Sequence, residues 1–261
     1  METDYKKIKM LLQHREPENK ELGFQLLKGA GLPTPVDSWI FRMLMKKQDW
    51  LLEGLGLGWA TQLAPITKSL YLELKSNQVL PKEVFDLHQL KRLYLRFEGG
   101  SLNMPNIKHH FGKLEELRLS RNNLTKLPMA ILQAPNLKTL HLESNKLTDL
   151  PIELAQMASL KNLYLERNKL EVWPANLSKF SQLHFLSLKH NQLKEIPEEI
   201  YDMTNLEALN LSYNQIKRLP YTLFCGAPML RYISVKENPI KNPTTSLFPF
   251  PIRNRNAIIT D

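Results

Sequence analysis

Apolar and polar positions along the 261-residue chain follow two different periods. Up to residue 58 the apolar side chains recur three or four apart. Tyr5, Ile8, Leu11 and Leu12 form one such set, and Leu22, Leu26 and Leu27 form another, just before Gly29-Ala30-Gly31. Ile40, Phe41, Leu44 and Leu51 form a third, between Asp37-Ser38 and Gly54. This spacing lines up one face of a helix, glycines end helices, and Asp or Ser starts them, so the pattern predicts three helical segments. From Ser69 onward the rule changes. Leucines alternate with variable residues at Leu117/Leu119, Leu140/Leu142 and Leu163/Leu165. A period of two is that of a short strand with one face turned inward.

These strands belong to a longer repeat. Six segments align on LxxLxLxxNxL: LEELRLSRNNL from Leu114, LKTLHLESNKL from Leu137, LKNLYLERNKL from Leu160, LHFLSLKHNQL from Leu183, LEALNLSYNQI from Leu206 and LRYISVKENPI from Leu230. Two degenerate copies precede them, SLYLELKSNQV from Ser69 and LKRLYLRFEGG from Leu90. The second has Glu98 where the pattern asks for Asn, and a long connection follows it. The motif resembles the leucine-rich repeat, in its 23-residue class with LP in the second half, as in many bacterial and Ras-suppressor-like leucine-rich repeat proteins. The resemblance implies an α/β solenoid of about eight coils. A parallel sheet would line the concave side of an arc, with short helical or 3-10 segments on the convex side.

Each column has a physical task. No coil can bury its leucines alone, so the core forms only by stacking. Asn122, Asn145, Asn168, Asn191, Asn214 and Asn238 fall just after the strand, where the chain turns and its buried backbone groups need partners. The resemblance implies that these amides bond their own and adjacent coils. Proline in LPIELA, WPANLS or IPEEIY fixes φ at the start of the convex segment. Residues 1–58 then read as an N-terminal helical cap and 59–240 as the solenoid. Residues 241–261 read as a C-terminal cap and tail, with Phe248, Phe250 and Ile252 over the last coil and a loose polar end after Pro251.

Composition narrows the class. With 43% hydrophobic and 23% charged residues the chain has enough apolar matter to fold. It shows no run of about 18 apolar residues for a membrane helix, and no signal-peptide core at its start. A single cysteine fits a reducing compartment. The expectation is a monomer, cytoplasmic or secreted without a recognisable signal peptide. Of the net charge of +9, a surplus of five sits within residues 59–126. Such an excess favours acidic partners.

The usual signs of chemistry are weak. Gly54-x-Gly56-x-Gly58 follows a helix instead of a strand, so it reads as a helix stop and not a phosphate loop. Adjacent His109 and His110 lack a third ligand at metal-binding spacing. Cys225 sits among apolar neighbours and reads as a small buried hydrophobe. Only His141 beside Glu143 and Glu166 suggests an acid–base pair, and these read as solvated groups. The chain is therefore read as non-enzymatic, with no cofactor and no metal.

What remains is the surface the repeat leaves free. Its third, fifth, seventh and eighth positions project from the strands and hold many Tyr, Phe and Arg residues, the types that binding hot spots favour. One group is Arg92, Tyr94, Arg96, Phe97, Arg118 and Arg121. A second, at mid-arc, is His141, Tyr164, Arg167, Phe185, His190 and Tyr213. The expected function is binding of a protein partner on the concave face. The alternative is binding of an anionic polymer, a glycosaminoglycan or nucleic acid, by the basic N-terminal coils.

Overall fold

The fold was obtained as a computed structural model that describes residues 2–33, 36, 38–75, 80–98, 111–129, 132, 134–220, 222–225, 228–240 and 258–260. Asp37, Ser76, His109, His110, Phe248, Phe250 and Ile252 lie outside the described residues, as does the side chain of Cys225.

The chain opens with helices α1 (Glu2–Gln13), α2 (Pro17–Ala30), α3 (Ser38–Lys46) and α4 (Gln48–Gly54). α2 stops where expected, with Gly31 at φ +76°, a left-handed conformation that suits glycine. The expected stop at Gly54 does not occur. The chain runs on past Gly54 and breaks at Gly58, the last glycine of the Gly54-x-Gly56-x-Gly58 motif, before a final helical turn, α5 (Ala60–Leu63). Two glycines make this possible. A Cβ on Gly54 would lie 2.1 Å from the Trp59 ring, and Gly58 takes φ +89°.

Strands β1 (Ser69–Leu74), β2 (Arg92–Phe97), β3 (Glu116–Arg118), β4 (Thr139–His141), β5 (Asn162–Tyr164), β6 (Phe185–Ser187), β7 (Ala208–Asn210) and β8 (Tyr232–Ser234) follow, one per coil. All are parallel and pair in chain order, with the repeat columns in register from β2 on: Leu117, Leu140, Leu163, Leu186 and Leu209 are successive partners, whereas the copy read from Ser69 is offset by two, Ser69 pairing with Arg92. A ninth strand, β9 (Ile258–Thr260), pairs with β8. Part of the expected loose tail therefore extends the sheet. Behind the strands run short convex segments, 3-10 helices at Lys82–Asp86, Ile152–Gln156, Leu177–Lys179 and Glu198–Asp202 and one helical turn, α6 (Thr222–Cys225). Pro81, Pro151 and Pro197 each directly precede one of these helices.

One core runs from Ile8 in the cap to Val235 in the last repeat. The cap is also tied to the sheet's first edge, because Gln48 Oε1 accepts the Glu73 backbone N–H. An edge strand left open would invite pairing with another chain.

Between coils the asparagines form a ladder. Asn168 Nδ2 donates to Leu142 O (2.9 Å) and Leu165 O (3.0 Å), and its Oδ1 accepts from Leu147 N (3.1 Å). Asn191 and Asn214 repeat this set one and two coils on. Each amide closes the turn of its own coil and reaches back to the one before. The residue in front of each asparagine pays a conformational cost: Arg121, Ser144, Arg167, His190, Tyr213 and Glu237 all have φ between 54° and 61°. For a residue with a Cβ that region is unfavourable. In the first five the backbone N–H bonds the next coil, as in Arg121 N–H to Glu143 O (2.9 Å) and Ser144 N–H to Glu166 O (2.8 Å).

Candidate functional site

The strands display their third and fifth positions on the sheet face opposite the core, and the structure sorts the expected site residues into three groups and one exception. Phe97 is the exception. It is 8% exposed and packs in the core. Coil 2 lacks the turn asparagine and has no left-handed residue among those described, and β2 keeps its period-two alternation for six residues, so position 97 points inward. Phe97 is a core residue, not a binding residue.

The first group is basic and lies on β2, β3 and the turn after β3. Arg118 packs over the Tyr94 ring at 5.1 Å, a cation–π contact. Its Nε donates to Glu116 at 2.7 Å. Arg96 pairs with Glu73 (3.3 Å), and Arg92 Nε donates to Ser69 Oγ (3.0 Å). Arg121 is exposed at the turn. Two of the four arginines thus already hold carboxylate partners.

The second group is a row of rings across three adjacent strands. His141 and Tyr164, paired across β4 and β5, stack at 4.3 Å and 6°. Tyr164 meets Phe185 of β6 at 4.8 Å and 36°. His141 is buried, while Tyr164 and Phe185 are half-exposed. The third group sits at the turn edge, on left-handed residues. His190 stacks on Tyr213 at 4.2 Å, Lys189 lies 5.2 Å from the Tyr213 ring, and Arg167 is close enough to lower the His190 pKa, after burial, the larger cause. The mid-arc set is thus two rows and not one.

Carboxylates that the sequence reading left as solvated lie beside the rings. His141 Nδ1 bonds Glu143 at 2.9 Å, and its Nε2 is 3.7 Å from Glu116. Burial pushes Glu143 up, but the bonds from His141 and Ser120 outweigh it and hold the carboxyl below the usual carboxylate range. Glu166 goes the other way. Burial raises its pKa, with the Glu143 charge adding to the rise. Its Oε2 is buried beside Oγ of Ser187, which is 1% exposed, and the Ser187 hydroxyl lowers the pKa without cancelling the rise. The same burial, followed by the nearby carboxylates, raises Tyr164. The sequence signal for this group was present, since Glu143 and Glu166 share the seventh column, but only the fold shows them half-buried.

Among the described residues no group of three or more His, Cys, Asp or Glu converges as a metal site, and no helix is long and apolar enough to cross a membrane. A depression of about 460 Å³ lies behind the strands, between the segments around Trp173 and Pro197, away from the ring row.

The leucine rich repeat family model matches residues 112–170 and 178–240. No curated protein matches the chain. Among solved structures it is similar to a leucine-rich repeat protein of Leptospira interrogans, at 31% identity and a TM-score of 0.60 over 70% of this chain and 46% of the other. It is also similar to the ectodomain of the Arabidopsis thaliana receptor kinase GASSHO1/SCHENGEN3, solved in complex with CASPARIAN STRIP INTEGRITY FACTOR 2. That match has 26% identity and a TM-score of 0.52, over 65% of this chain and 20% of the other. An internalin of Listeria monocytogenes shares the fold at 21% identity and a TM-score of 0.57, over 74% and 57%. The chain thus spans less than two thirds of each of these structures. Repeat pattern, asparagine ladder, open parallel sheet and these matches together make residues 112–170 and 178–240 leucine-rich repeats.

Proposed function

We propose that the chain is a protein-interaction module that binds its partner on the concave sheet face. The fold is generally such a module, and the similar plant ectodomain was solved in complex with CASPARIAN STRIP INTEGRITY FACTOR 2. The observation that carries the reading is the ring row His141–Tyr164–Phe185. Tyr164 and Phe185 stay half-exposed on strands that a buried leucine core holds rigid. Rings fixed in this way lose little entropy on binding and offer apolar area next to charge. Glu143 and Glu166 beside them, and the carboxylate partners of Arg96 and Arg118, disfavour a purely polyanionic ligand, which would meet like charge along this face.

The test is a matched pull-down. Tyr164→Ala with Phe185→Ala should cost about 2 kcal/mol or more in partner affinity with little change in melting temperature. Convex Lys179→Ala should leave binding intact. A partner retained by the concave double variant but lost by the convex one would refute the assignment. Affinity that collapses with salt and ignores the rings would move the reading to an anionic polymer.

A further inference from the structure

The N-terminal helices do more than close the core. Between α1, α2, α3 and α4 lies a groove of about 500 Å³, floored by Leu12 and Met43 and bordered by Lys20, Trp39, Arg42, Lys46, Lys47 and Trp50. Four cations and two indoles face one space. Among the described residues no carboxylate lines it, and none pairs with these four cations. Near the front of the sheet three cations have acidic partners, Arg96 with Glu73, Arg118 with Glu116 and Lys75 with Asp49, whereas in this groove four cations stand together.

The groove is also preformed. Trp50 lies flat on the buried Phe24 ring, 4.4 Å away and 5° from parallel, and Lys47 Nζ is 5.8 Å from its centroid. Trp59 closes the far side of Phe24 edge-on at 6.2 Å. An indole braced in this way offers its free edge without losing rotamer freedom. A cationic rim favours anions, and exposed indole favours apolar or aromatic matter, so the ligand must carry both.

A second depression, of about 380 Å³, shares Lys46, Lys47 and Trp50 with the groove and leads on to Glu73, Lys75 and Glu98 at the start of the sheet. The path therefore runs from the helices to the first strands, and it alternates in sign along the way. A nucleic acid, with a phosphate at every step, would be repelled by Asp49, Glu73 and Glu98. A polypeptide can place its acids over the groove and other residues further on.

We infer that the helical groove docks an acidic polypeptide segment bearing an aromatic or large aliphatic anchor, the anchor against Trp39 and Trp50 and the acids against Lys20, Arg42, Lys46 and Lys47. The groove stands on its own observations. Only the continuation of the segment onto the strands rests on the concave-face reading.

The probe is a labelled nine-residue peptide of three Glu-Glu-Phe units, followed by fluorescence polarisation and by quenching of tryptophan emission on the full chain. Controls are its Lys-Lys-Phe and Glu-Glu-Ala counterparts, heparin, and phosphatidylserine vesicles. The Glu-Glu-Phe peptide should bind and quench. Arg42→Glu with Lys46→Glu, both exposed, should weaken it about tenfold or more with the melting curve unchanged. Trp50→Ala should do the same, but its loss counts only if the fold survives. Unchanged affinity in the Arg42/Lys46 variant would overturn the inference. So would equal binding of Glu-Glu-Ala, heparin or vesicles, which would indicate a general anion or membrane surface. The two readings separate cleanly. The Tyr164/Phe185 double variant should lose the natural partner yet keep this short peptide. If it loses the peptide while Arg42→Glu/Lys46→Glu keeps it, the groove assignment fails and the concave one stands.

Discussion

Coil 2 and coil 5 share one sequence pattern through their first seven residues and then diverge. In coil 5 the chain reaches Arg167, enters the left-handed region, and hands the turn to Asn168. Its strand β5 is three residues long. In coil 2 the matching positions are Phe97 and Glu98. The strand runs to six residues, pairing with β1 from Ser69–Arg92 to Leu74–Phe97. Between these two coils the asparagine goes with the earlier strand end, and so with the direction in which the next side chain points. With it, the eighth residue swings to the turn edge, as Arg167, His190 and Tyr213 do. Without it, the eighth residue stays in phase and becomes core. The same difference widens the front of the sheet, where Arg96 and Glu73 lie side by side across the extra rungs.

The sharpest break of that contrast is one column tested in two coils. Phe97→Ala empties a core site and should cost about 3 kcal/mol, the low end for a buried ring because Phe97 keeps 8% exposure. Arg121→Ala, the same column one coil on, is a change at an exposed turn and should stay within about 0.5 kcal/mol. Chemical denaturation of both variants measures it. Equal losses would mean that Phe97 is not the inward residue it is taken to be. Next in size is Asn168→Leu, which orphans Leu142 O, Leu165 O and Leu147 N and should cost about 2 kcal/mol. Glu98→Ala, at the position where coil 2 lacks the amide, should be nearly silent, because the Glu98 side chain is exposed and its backbone N–H already bonds Leu74 O.

This contrast also explains what was legible from residues alone. From coil 2 onward the leucine and asparagine columns gave strand positions and register, because stacking leaves a period-23 chain no other way to bury them; coil 1 is shifted by two residues, since Ser69, its first aligned position, pairs with Arg92, the third of coil 2. Projection was legible for Tyr164 and Phe185 on the same ground. It failed for Phe97, since a column rule assumes the turn that Glu98 cannot make. It missed the left-handed residue, because the region is a backbone state that Arg, Ser, His and Tyr do not advertise. The Trp39–Trp50 groove was also hidden: helical periodicity assigns both rings to faces, but only packing of four helices brings them to one rim with Lys20. The expected helix stop at Gly54 was misread because glycine there serves close packing against Trp59, not termination.

Within the regular coils, a third pair of changes separates two carboxylates of one column. Glu143, held below its ordinary range, contributes stability that is present above the unfolded value and lost as pH falls through the lower folded one. Glu166, held above its range by burial and then by Glu143, does the reverse: the folded state keeps more protons, and stability falls as pH rises through that window. At pH 7 Glu143→Gln should therefore destabilise by about 1 kcal/mol, reduced from the buried value because the side chain is partly exposed. Glu166→Gln should stabilise slightly, and its advantage should vanish below the ordinary carboxylate range. Melting curves from pH 4 to 8 decide it, and a common sign for the two variants would undo the assignment.

The smallest effect tests the turn itself. Ser144 sits at φ +57°, and glycine removes the Cβ that makes this region costly. Relief of strain is worth about 1 kcal/mol, but glycine also gives the unfolded chain more freedom to lose, by about 0.5–1 kcal/mol. Ser144→Gly should therefore shift stability by no more than about 0.5 kcal/mol, in the stabilising direction or close to zero. A β-branched replacement has no such relief, and Ser144→Val should lose about 1–2 kcal/mol, since its stiff side chain tolerates the left-handed region worst. Coil 2 supplies the control. Glu98 lies in a coil with no left-handed residue among those described, so Glu98→Val should cost less than Ser144→Val. If valine is equally tolerated at both, the turn does not depend on the left-handed residue, and the different strand lengths of the two coils need another cause.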